Sequence, residues 1–158
     1  MKISTICFPI KGDGGRRRVI LATKKHKVGI GLLNGYGGKL DPTDQSIEDS
    51  AAREITEEST VLVDKRDLEK VAIVSFYEES KHLFECHVYF LHQWQGEFRE
   101  TEEMGAPEEF LLEEVPYDRM MAADKSWLPL VFCGKKIKAV SVYNKGVTEE
   151  KSFEYELL

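Results

Sequence analysis

The 158 residues predict an α/β fold, a mixed β-sheet flanked by helices, and three observations predict it. β-Branched and apolar runs recur in pairs around short polar turns, so hairpins outnumber strand–helix–strand crossovers. An amphipathic segment at residues 46–59 and a second at residues 126–133 supply the helices. No repeat, low-complexity tract or Pro/Gly/Ser linker divides the chain, so a single domain over residues 1–158 is expected.

Composition narrows the class. Hydrophobic residues at 42% and aromatics at 10% furnish a core without disulfides or a structural metal. Against 22 basic side chains stand 28 acidic ones, a net charge of −6, which argues against a nucleic-acid polymer as partner. Small phosphorylated ligands stay open, because a divalent cation reverses the local sign. No apolar run approaches the roughly 18 residues of a transmembrane helix, and residues 1–5 lack a signal-peptide layout, so no membrane partner is expected. Cys7, Cys86 and Cys133 are odd in number and form no CxxC pair, as in a reduced, cytoplasmic protein. The sequence names no protein partner.

In chain order, residues 3–10 read as a strand and residues 11–15 as a glycine turn. Residues 18–23 read as a second strand, closing a hairpin. Residues 29–38 hold five glycines, which imply tight turns or close approach of backbone to a ligand. Ser46 is an N-cap candidate with Asp49 three residues on, and opens a helix running to about Ser59. Residues 71–77 and 83–91 are strands around a polar turn, and residues 93–103 form a loop. A short strand follows at 109–112, and Pro116 opens a helical turn. Residues 126–133 are the second helix, closed by Gly134. Residues 136–143 and 151–158 make a last hairpin.

The chemistry concentrates in the first helix. At 100° per residue, Glu54, Glu57 and Glu58 share a face, beside an apolar stripe of Ile47, Ala51 and Ile55 that docks the helix on the sheet. Three carboxylates at the edge of a core repel one another, and Mg²⁺ or Mn²⁺ reverses that penalty because hard cations prefer carboxylate oxygen. The histidines lack metal spacing: His82 and His87, then His87 and His92, fall on opposite faces of a strand. No metal role is assigned to them or to His26.

Residues 37–61, from Gly37-Gly38-Lys39 through Arg53-Glu54-Ile55-Thr56-Glu57-Glu58 to Val61, resemble the Nudix box, in which a glycine and a glutamate precede Arg-Glu-U-x-Glu-Glu-x-Gly-U with U aliphatic. The second half matches residue for residue except that Thr60 stands at the late glycine. The first half is one residue longer, and Asp44 or Gln45 stands at the first glutamate. Beyond the box, Lys24-Lys25, residues 31–39, and Pro116 to Pro129 resemble the oxidised-purine triphosphatase branch. The resemblance implies an α/β/α sandwich with a mixed sheet and a catalytic loop–helix–loop. It implies hydrolysis of purine nucleoside triphosphates to monophosphate and pyrophosphate, with Mg²⁺ (or Mn²⁺) as cofactor and a small nucleotide as partner. Within the same fold, an ADP-ribose or nucleotide-sugar pyrophosphatase is the alternative, and a non-catalytic nucleotide-binding domain a third case.

Residue by residue, the resemblance makes Glu54, Glu57 and Glu58 metal ligands or the general base, and makes Arg53 the cation that orients a glutamate. Gly38 and the loop residue Glu103 approach the metal. Thr5, Lys24, Asn34, Gly37, Gly38, Met121 and Asp124 contact substrate. Asn34 both donates and accepts, which suits a base edge, and Asp124 accepts from a base amine. Asp124 matches the second of the branch's two aspartates, Ala123 replaces the first, and Met121 stands where the branch has a stacking tryptophan.

Overall fold

The computed structural model describes residues 1–158. Its strands are β1 (Ile3–Lys11), β2 (Arg18–Thr23), β3 (Leu33–Asn34), β4 (Tyr36–Lys39), β5 (Leu68–Glu78), β6 (Lys81–Leu91), β7 (Glu108–Leu111), β8 (Ile137–Tyr143) and β9 (Glu150–Leu157). Its helices are α1 (Ile47–Ser59) and α2 (Asp124–Phe132). All strands join one sheet of order β3-β2-β1-β6-β5-β8-β9, with β4 on β1 and β7 on β2. The β1–β6 and β5–β8 pairings are parallel and the others antiparallel, so the sheet is mixed.

Alternation along the central strands separates two cores. Phe8, Val88 and Phe90 point to one side, where they pack with Trp127, Leu128, Val131 and Phe132 of α2. Cys7, Tyr89 and Leu91 point to the other, against Ala51 and Ile55 of α1. The helices thus cover opposite faces, giving the expected sandwich. Trp127 is only 2% exposed and meets Phe8 edge-on, a core residue as its apolar neighbours suggest.

Strand β1 changes partner along its length. Ser4 to Cys7 pair with β4, whereas Ile10 and Lys11 pair with β2. Pro9, which has no N–H to donate, sits between the two sets. The residues expected as tight turns or as a close backbone approach therefore include two short strands. At Gly37 an added Cβ would overlap the backbone carbonyl of Thr5, so that glycine answers to space rather than to backbone angle.

Ser46 caps α1, its hydroxyl accepting the Asp49 N–H at 3.0 Å, as the sequence suggests. Helix α2 begins at Asp124, not Ser126, and ends at Phe132. Asp124 is in its first turn rather than before it, with no side-chain cap bond at Ala123. No helix is long and apolar enough to cross a membrane.

Candidate active site

Helix α1 lies across β4 and brings its carboxylates to the two glycines. The Gly37 N–H donates to Glu58 Oε1 at 2.9 Å. A Cβ at Gly38 would stand 2.5 Å from the Glu54 carboxyl carbon, so the missing side chain is what admits that carboxylate. The side chain of Glu54 is 15% exposed and that of Glu57 56%. The three glutamates therefore do not share one environment. Glu54 and Glu58 turn into the sheet, while Glu57, one helical step around, stays in solvent beside Arg53, 3.2 Å away.

Arg53 is the hub of an ion cluster. Its Nε and Nη2 donate to both oxygens of Asp44 at 3.0 and 2.9 Å, and Nη1 donates to Glu54 Oε1 at 3.0 Å. Of the two positions left open by the longer loop, Asp44 is the one that meets Arg53. The guanidinium holds the Asp44 carboxyl down at about 2. The loop before the helix is thereby tied to the face that carries Glu54.

Burial raises the proton affinity of both inward carboxylates. Glu58 rises to about 7, first through desolvation, with the charges of Glu54 and Glu103 adding to it; the Gly37 N–H and Lys24 oppose. Glu54 is raised for the same first reason, while Arg53 and Lys27 pull it down. Glu103 faces this pair because its loop is fastened to the helix end: Thr101 Oγ1 donates to the Glu58 carbonyl at 2.9 Å, and the Lys25 N–H donates to the Glu103 carbonyl at 3.1 Å. Lys27 is a cation that motif reading missed. It holds a left-handed φ of 66° and occupies an exposed loop outside the matched motif, so only the fold brings its charge near Glu54.

No three His, Cys, Asp or Glu side chains converge on one point. The donor set nevertheless fits a hard divalent cation. Two inward carboxylates, with a third acidic group close enough to be felt, form a desolvated negative cluster that a proton or a cation relieves.

The expected base-reading residues divide between the two faces. Asp124 is 6% exposed on the α2 side; its Oδ1 accepts from Trp127 Nε1 at 3.1 Å, while Oδ2 is buried without a partner. Burial pushes its carboxyl up to about 7. Met121 packs against the α2-side core and would contact a side chain at Gly29 through its sulfur at 3.6 Å. Thr5 lies on the α1 side of the sheet. It pairs with His87 and Gly38 in register with Cys7, so it faces α1, and its hydroxyl is buried without a partner. Ser4, one residue earlier, faces Cys86 and the Asp124 side; strand alternation separates the two. Asn34 pairs with Ala22, and its Oδ1 accepts from the Gly35 N–H at 2.9 Å, leaving the amide N–H₂ free. No hydrogen bond joins Asn34 to Asp124.

A mixed sheet between two helices, one of them acidic and laid on a glycine strand, is the fold expected of a Nudix domain. The NUDIX domain family matches residues 1–131, and the chain belongs to that family. Among individual proteins, it is 38% identical over 121 residues to the oxidized purine nucleoside triphosphate hydrolase of Mus musculus, covering 76% of this chain and 75% of that protein. It is 36% identical over 120 residues to the protein of the same name from Danio rerio, covering 75% and 74%. The crystal structure of a mutator MutT protein from Bacillus halodurans has the same fold, with a TM-score of 0.79 over 99% of this chain and 98% of that one, at 21% identity.

Proposed function

We propose that this Nudix hydrolase is a divalent-cation-dependent diphosphatase of oxidised purine nucleoside triphosphates, releasing a monophosphate and pyrophosphate. The observation that carries the hydrolytic reading is the pair of desolvated carboxylates, Glu54 and Glu58, held against the bare backbone of Gly37 and Gly38. The names of the Mus musculus and Danio rerio relatives support the substrate class.

Glu54, Glu58 and Glu103 would hold Mg²⁺ or Mn²⁺, with Gly38 offering backbone and Glu57 joining by leaving Arg53. When bound, the cation supplies neutralisation of phosphate charge and a more acidic water. The remaining work falls to the chain itself. Arg53, clamped by Asp44, fixes the orientation of Glu54. A carboxylate oxygen on the same face accepts the proton of the attacking water. Lys24 and Lys27 meet phosphate oxygens from the opposite loop. At the base end, Asp124 offers Oδ2, Asn34 offers its amide N–H₂, and Met121 supplies apolar contact. Ser4 rather than Thr5 is the β1 residue on that side. Residues 1–158 act as one unit, since β8 and β9 complete the sheet. Three free thiols, Cys7 and Cys86 buried and Cys133 exposed, suit the reducing cytoplasm, where such an enzyme would clear damaged nucleotides.

A nucleotide panel with Mg²⁺ tests this, scoring pyrophosphate against phosphate release. Oxidised dGTP should be cut faster than dGTP, and dGTP faster than dCTP, with all turnover lost in EDTA. Equal rates on dCTP and oxidised dGTP would overturn the purine reading, and activity undiminished in EDTA would overturn the metal reading.

A further inference from the structure

The first turn of α2 is held from beneath by the β8–β9 hairpin, which lies beyond the residues that match the family. Tyr143 is 3% exposed, and its Oη accepts the backbone N–H of Ala123 at 2.8 Å, immediately before Asp124. Glu150 accepts from two hydroxyls at once. Ser141 Oγ on β8, 0% exposed, donates to Oε2 at 2.5 Å, and Ser126 Oγ in the first turn of α2 donates to Oε1. The β8–β9 register slips between Val142 and Tyr143, so that Tyr143 stands opposite Glu150. A slip of this kind re-aims side chains. It brings both polar tips to one end of α2. Trp127 then fixes Oδ1 of Asp124 from the helix side and leaves Oδ2 buried and unpartnered.

We propose that Tyr143 and Glu150 are specificity-determining positioning residues: the C-terminal hairpin holds the start of α2 so that the free Oδ2 of Asp124 meets the donor edge of a purine base. This rests on the purine reading above. Neither residue touches the phosphates or the carboxylate face, so both act on the choice of base. Loss of the Tyr143 acceptor lets Ala123 and Asp124 shift, and a misplaced Oδ2 loses a base hydrogen bond, worth about five- to tenfold in affinity.

The experiment measures KM and kcat of the full chain on oxidised dGTP and on dCTP. The variants are Tyr143→Phe, Ser126→Ala, Glu150→Ala and Glu150→Gln, with Asp124→Ala as reference and folding checked by thermal unfolding. Tyr143→Phe and Glu150→Ala should raise KM for oxidised dGTP about five- to tenfold and leave KM for dCTP unchanged. Glu150→Gln, which keeps an acceptor oxygen, should recover most of that loss. Ser126→Ala, an exchange of small side chains, gives the same readout if a larger change unfolds the protein. A parallel rise for both nucleotides, or none for either, overturns the inference while Asp124→Ala still flattens base preference. If Asp124→Ala itself leaves base preference intact, the purine reading fails first.

Discussion

Asp124→Asn turns the burial of this carboxyl into a measurable pH dependence of stability. The group is 6% exposed, with Oδ2 unpartnered, and its proton affinity is raised from 3.8 to about 7. The folded protein therefore holds a proton that the unfolded chain has released between about pH 4 and pH 7. Stability must fall as pH rises through that window and level off above it. Across a window of roughly 3 pH units, at about 1.4 kcal/mol for each, the full penalty is ~4 kcal/mol above pH 7. Asparagine keeps an oxygen for the Trp127 N–H and carries no charge, so it escapes the penalty. Urea unfolding of both proteins at pH 4, 5, 6, 7 and 8 in EDTA should give near-equal stability at pH 4 and an asparagine variant ~2–4 kcal/mol ahead at pH 8. The lower end allows for the unpaired amide N–H₂. Glu58, raised to about 7 in the same direction, is present in both proteins and cancels in the difference. A difference constant from pH 4 to pH 8 would show that Asp124 is charged and partnered in the folded state, and would refute the argument.

The remaining expectations concern the helix. Glu54→Gln and Glu58→Gln should each lower kcat roughly 100-fold or more, with thermal unfolding retained. Glu57→Gln, at a side chain 56% exposed beside Arg53, should fall less; equal losses at all three would contradict the division of the face into inward and outward carboxylates. Thr60 closes α1 with a left-handed φ of 73°, a conformation that disfavours a β-branched residue by about 1 kcal/mol. Thr60→Gly should therefore raise the melting temperature by roughly 2–4 °C without altering turnover, and an unchanged or lower melting temperature would deny the strain.

Helix α1 was legible because its signals are local: the Ser46 cap, the Ile47, Ala51 and Ile55 stripe, and the Arg-Glu motif all lie within one segment. The split between Glu57 and its neighbours was not, since an ideal helical wheel says which residues neighbour each other but not which of them Arg53 takes. Strand β3 escaped because two residues, Leu33 and Asn34, are too few to show a period, and β4 because a glycine strand has no side-chain alternation to read; the β4 glycines record the nearness of Thr5 and Glu54, both distant in sequence. Thr5 and Ser4 differ by one register step, and only pairing with β6 tells which of them faces Asp124. Helix α2 begins two residues earlier than the sequence suggests, and the Ser126 hydroxyl in its first turn goes to Glu150, a contact that no local pattern shows. Tyr143, too, reaches its role through a contact spanning 20 residues, beyond any motif.

Two carboxyl groups on opposite faces of one sheet are each pushed to about 7 by burial, Glu58 beneath α1 and Asp124 beside α2. A fold selected for stability alone would fill such places with apolar side chains, because an unpaired buried carboxyl opposes folding whenever it ionises. On the proposed reading, each of the two places takes a ligand of its own chemistry. Around Glu58 lie Glu54, Glu103, the Gly37 amide, Cys7 and Tyr36, and Lys24, with Lys27 near Glu54, brings positive charge, which suits a cation with phosphate. Around Asp124 they are Trp127, Met121, Glu150 and the backbone at Ala123, which suits a flat, polar-edged ring. Mutating one carboxyl should therefore leave the other's ligand preference standing: Glu58→Gln should still bind oxidised dGTP in preference to dCTP, measured by displacement at equilibrium. Loss of base discrimination in Glu58→Gln would mean that the two sites are one, and that the sheet does not divide the work between its faces.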